Sequence, residues 1–136
     1  MSDSSKGFSV EFDRVQKLAY RNSVQHGFHD LDGLVENNAA KLKTLGISPA
    51  AVRDLLACRR LMLSVGELSE AMEVLREGDA PDDHCPKFSK FEIELADEVI
   101  RCMDLAESKS ARLGEAIVAK MVYNKTRPIH HGNKKF

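Results

Sequence analysis

The stretch from Ser48 to Gly78 constrains this chain more than any other. Ser48 can cap a helix, Pro49 suits the first helical position, and Ala50-Ala51-Val52 continue into good helix formers. No further proline interrupts the run before Gly78. From Leu55 to Leu75, apolar side chains point to almost every side: Leu55, Leu56, Cys58, Leu61, Met62, Leu63, Val65, Leu68, Met72, Val74 and Leu75. A helix of that kind belongs at the centre of a helical core.

The rest of the chain agrees with an all-α architecture. A first helix is expected from about Val10 to His26, with Phe12, Val15, Leu18 and Ala19 on one stripe and Gly27 as its stop. A second runs from about Leu31 to Leu45, before Gly46. The segment GDAPDDHCPK has turn residues and no periodicity, so it is a loop. Ser89 and Glu92 then form a capping box for a helix reaching about Ser108. A last helix carries Ile117, Met121 and Tyr123 and ends before Pro128. Residues 1–7 read as a flexible N-terminus, 8–127 as one helical domain and 128–136 as a basic tail. Short connections favour antiparallel neighbours in a four-helix-type bundle, and oligomerisation would bury what these helices leave uncovered.

Charge narrows the function. With 20 basic against 21 acidic residues there is no global field to draw in a nucleic-acid polymer or an anionic membrane. No apolar run approaches the roughly 20 residues that cross a bilayer, and the first residues lack a signal-peptide core, so a cytoplasmic location is expected. The three cysteines make neither a C-x-x-C pair nor an even disulfide set. Cys58 and Cys102, in apolar helical stretches, read as small buried hydrophobes. His26 and His29 read as surface or loop histidines.

The anomaly lies inside the central helix. Glu67 and Glu70 share its face with Leu56, Leu63 and Val74, and inward carboxylates are costly unless a cation meets them. Salt bridges to Arg59, Arg60 or another helix are one answer. The next helix repeats the spacing in Glu94 and Asp97, beside Glu98 and Arg101; a solvated acidic stripe is its simplest explanation alone. Depth along the hairpin joins the two pairs. Glu70 lies eight positions before Gly78 and Asp97 eight after Ser89, so both sit roughly 12 Å from the connecting loop. Antiparallel packing would bring four carboxylates to one level, where Mg²⁺ (or Mn²⁺) would relieve their repulsion. Lys120, Asn124 and Arg127 fall in one arc of the last helix and suit a polyphosphate, though cations there also complement the helix dipole.

The segments GELSEAMEVL, ELADEVIRCMDLA and AIVAKMVYNKTRP followed by HHGNKKF resemble the MazG-like all-α nucleoside triphosphate pyrophosphohydrolases. That family is marked by E-x-x-E and E-x-x-D on successive helices, matched by Glu67/Glu70 and Glu94/Asp97, and by a Lys…Asn…Arg set matched by Lys120, Asn124 and Arg127. The resemblance covers about residues 50–135. It implies a homodimer or dimer of dimers that splits a (deoxy)nucleoside triphosphate into monophosphate and pyrophosphate. It further implies Mg²⁺ on the four acids, Glu67 or Glu70 as the base toward water, and Lys120 and Arg127 on the leaving pyrophosphate. Several members stack the nucleobase on tryptophan. This chain has none, and Phe28 in the HGFHD turn is the candidate substitute, with a core aromatic as its competing reading. A weakly catalytic nucleotide-binding module and a purely structural helical oligomer are the alternatives.

Overall fold

A computed structural model describes residues 3–128, and every regular element among them is helical. The order is α1 (Asp3–Gln25), α2 (Asp30–Asn37), α3 (Ala39–Thr44), α4 (Pro49–Glu77), α5 (Lys90–Ser108) and α6 (Leu113–Lys125). An isolated bridge between Pro81 and Ser89 pinches the α4–α5 loop. The basic tail lies outside the described residues, apart from Pro128.

The two clearest start signals act as their chemistry dictates. The Ser48 hydroxyl accepts from Ala51 N at 3.3 Å. Ser89 Oγ accepts from Glu92 N at 3.2 Å while the Glu92 carboxylate accepts from Ser89 N at 2.8 Å, which satisfies two orphan donors of α5. Other boundaries moved. Helix α1 begins at Asp3, so residues 3–7, expected outside the helices, belong to its first turns. The Phe8 ring lies 5.5 Å from that of Phe12, tilted against it, and lines a groove shared with Val118 and Met121 of α6. The single helix expected over Leu31–Leu45 is two, broken at Asn38. Its side-chain amide donates to Leu34 O at 2.9 Å and so competes with the helical ladder.

Helices α4 and α5 form the antiparallel hairpin on which the molecule is built. Three cross-links fix its register: Lys109 to Asp54 at the open end, Arg101 to Glu67 in the middle, and Phe91 N to Asp79 Oδ1 beside the loop. Helix α1 packs along α5 and α6, while α2 and α3 lean on α4.

This arrangement leaves the central helix less buried than its sequence demands. Its buried residues are Pro49, Ser64, Glu67 and Ala71. Leu55, Met62 and Leu75 remain 69%, 65% and 65% exposed. One chain supplies too few helices to cover α4, so its outer apolar face stays open. Cys58 on α4 and Cys102 on α5, expected to be buried, are both exposed.

Candidate metal centre and cavity

Hairpin register decides where the acids go. Carboxylate oxygens of Glu67, Glu70 and Glu94 all lie within 4.8 Å of one another. Asp97 stands outside that trio and lines the adjoining cavity with Glu67 and Glu70. The four acids therefore share one site, with three at its acidic centre and Asp97 on its wall.

The electrostatics of the cluster are unbalanced. Burial, then the charges of Glu70, Glu67 and Asp97, push the Glu94 carboxyl above its ordinary range. Asp97 is raised by burial and by Glu67, against a lowering pull from Arg101. Arg101 binds Glu67, whose side chain is 9% exposed, and is itself 35% exposed. One guanidinium thus offsets one of three converging carboxylates. The remaining negative charge, on oxygen ligands alone, suits a hard divalent cation such as Mg²⁺.

These raised carboxyls carry a testable sign. A carboxylate whose folded pKa is raised destabilises the folded chain fully above that pKa. The penalty fades as pH falls through it and is gone below the unfolded value near 4. In chelator, Glu94→Gln should therefore melt above the wild type at neutral pH. The gap should close on acidification and also on adding Mg²⁺ to the wild type. A gap that widened toward acid would contradict this electrostatic account.

The cavity beside the acids has a volume of about 480 Å³, within the usual range for small-molecule sites. Its walls come from α1 (Asn22, Ser23), the α1–α2 turn (Phe28), α4 (Arg59, Arg60, Leu63, Glu67, Glu70) and α5 (Asp97, Ile100, Arg101, Asp104). Phe28 is 59% exposed there, so it is not a core aromatic. Of the arginines weighed as partners for the acids, only Arg101 takes that role. Arg60 pairs with Asp32, and Arg59 has no ion pair among the described residues.

Lys120, Asn124 and Arg127 are not among the residues that line this cavity. Helix α6 packs on α1, and Lys120, with Arg127 just past the helix end, gathers on one ring instead. Lys120 Nζ lies 4.8 Å from the Tyr123 centroid, and the Arg127 guanidinium carbon 6.0 Å from it.

His29 departs from its sequence reading. It is only 9% exposed, and its Nε2 lies 2.8 Å from Asp104 Oδ1. Asp104 falls seven residues after Asp97, on the same stripe of α5, and that spacing was the available signal. No sequence signal pairs it with His29, because that contact depends on how the α1–α2 turn folds back.

Comparisons with protein-family models, curated proteins and solved structures return no match.

Proposed function

We propose that the chain is a Mg²⁺-dependent nucleotide pyrophosphohydrolase that converts a (deoxy)nucleoside triphosphate to its monophosphate and pyrophosphate, as in nucleotide-pool housecleaning. The observation that carries this reading is the Glu67–Glu70–Glu94 cluster opening into a cavity that also holds an exposed aromatic ring. The MazG-like pattern of the sequence supports the choice of reaction.

Glu67, Glu70 and Glu94 would hold the ion, with Asp97 beside them. Bound there, Mg²⁺ or Mn²⁺ supplies positive charge against the polyphosphate and favours attack at phosphorus. Glu67 is engaged by Arg101, whereas Glu70 is exposed and has no ion pair among the described residues. Glu70 is therefore the better base: it takes a proton from the attacking water as the α-phosphorus to bridging-oxygen bond breaks and pyrophosphate leaves. Phe28, exposed on the cavity wall, would stack on the nucleobase. Pyrophosphate release from a panel of canonical and modified triphosphates tests the assignment, and no release from any of them would end it.

The uncovered apolar face of α4 supports a homodimer or a dimer of dimers. A phosphate role for Lys120, Asn124 and Arg127 then requires that they reach the cavity of a neighbouring copy. Sedimentation at micromolar concentration should show no monomer, and Met62→Glu should produce monomer with a lower melting temperature. A wild-type monomer would remove both the oligomer and the shared site.

The Glu67–Arg101 ion pair favours a second reading, a structural helical oligomer whose acids are satisfied by arginine. Calorimetry with Mg²⁺ and a non-hydrolysable triphosphate separates the two, since the structural reading gives no heat.

A further inference from the structure

The turn that carries Phe28 is tied to both acid-bearing helices by a polar network. Gly27 shapes it, with φ at +78° and Asp30 Oδ2 only 3.1 Å from where a Cβ would sit. From α5, Asp104 holds His29 Nε2 at 2.8 Å. From α4, Arg60 Nη2 lies 3.2 Å from His29 Nδ1 and donates to the Phe28 carbonyl at 3.4 Å. Asp32 binds Arg60 and lies 3.5 Å from His29 Nδ1. The Tyr20 ring packs edge-on against His29 at 4.8 Å.

The backbone of this turn is thus anchored to the same two helices that carry the carboxylates, while its aromatic ring is left in the cavity. Arg60, which marks the height of the turn, precedes Glu67 by seven residues, or roughly 10 Å along α4. A ligand spanning that distance has an apolar end and a charged end. Fixing the ring in advance spares the ligand the cost of ordering it.

We infer that His29, Asp32, Arg60 and Asp104 are positioning residues that hold Phe28 above the acids, so that the cavity prefers a nucleoside-bearing polyphosphate to a bare one. This rests on the nucleotide reading above. The network acts through Phe28, and its loss is felt only by ligands that have a base to stack.

The test compares a non-hydrolysable nucleoside triphosphate with inorganic tripolyphosphate, both with Mg²⁺, by calorimetry. Asp32→Asn and His29→Gln should each weaken the nucleotide about tenfold, the scale of one stacked base, and leave tripolyphosphate unchanged. KM should rise with kcat held within about twofold. Phe28→Ala should show the same selective loss, and combining it with Asp32→Asn should add little more. Equal weakening of both probes would reduce the network to a purely structural role and overturn the inference. If His29→Gln does not fold, Asp32→Asn, which keeps the shape of a partly exposed side chain, still decides. A wild type that prefers the nucleotide, with variants that keep the preference, overturns this inference alone. A wild type that binds neither probe removes the nucleotide reading as well.

Discussion

Glu70→Gln should lower Mg²⁺-dependent pyrophosphate release at least ~100-fold, the usual scale for losing a general base, while the chain stays folded. Glutamine keeps the size of the side chain and removes the charge that would attract the cation and accept the proton. Glu70 is exposed and makes no ion pair among the described residues, so little folding energy depends on it. The acidic cluster also becomes less self-repulsive, and the metal-free melting temperature should hold or rise slightly. Two measurements check this together: initial rates of pyrophosphate formation, and thermal melting in chelator. Unchanged release would exclude Glu70 from the chemistry and favour the structural reading. Release lost together with folding would mean that Glu70 supports the hairpin instead.

Arg101→Gln should move metal affinity and stability in opposite directions. Arg101 is the cation on buried Glu67, and its removal leaves that carboxylate unpaired near two others. Breaking a fully buried pair costs about 3–5 kcal/mol; with Arg101 35% exposed, about 2 kcal/mol is the appropriate scale. The metal-free variant should therefore melt well below the wild type. Mg²⁺ should bind it more tightly, by about tenfold, because a competing positive charge has gone. Added Mg²⁺ should in turn recover much of the lost stability through its tighter binding to the folded chain. Calorimetric titration and melting with and without Mg²⁺ read both effects. Weaker Mg²⁺ binding in the variant would show that Arg101 builds the site rather than competing for it.

Some of this was legible without coordinates. Local chemistry set the α4 and α5 start sites, because Ser48-Pro49 and Ser89…Glu92 satisfy helix-terminal donors whatever surrounds them. Spacing set the pairing of Glu67 with Glu70 and of Glu94 with Asp97, because three residues nearly complete a helical turn. Equal distance from the connecting loop placed the two pairs at one level, as register follows from counting in an antiparallel hairpin. That acids of the two helices would meet was thus legible in the sequence, and so was the all-helical architecture.

Tertiary packing decided what periodicity cannot express. It drew Glu67, Glu70 and Glu94 together and set Asp97 on the cavity wall, because the roll of α5 about its axis depends on the helices it meets. It gave Arg101 to Glu67 and Arg60 to Asp32, although either arginine was a plausible partner for the acids. It buried His29 against Asp104, a contact between residues 75 apart that no local pattern encodes. It also placed α6 on α1, which kept Lys120, Asn124 and Arg127 off the cavity lining despite their matched arc. An arc along one helix fixes which side chains travel together. Only packing fixes what they face.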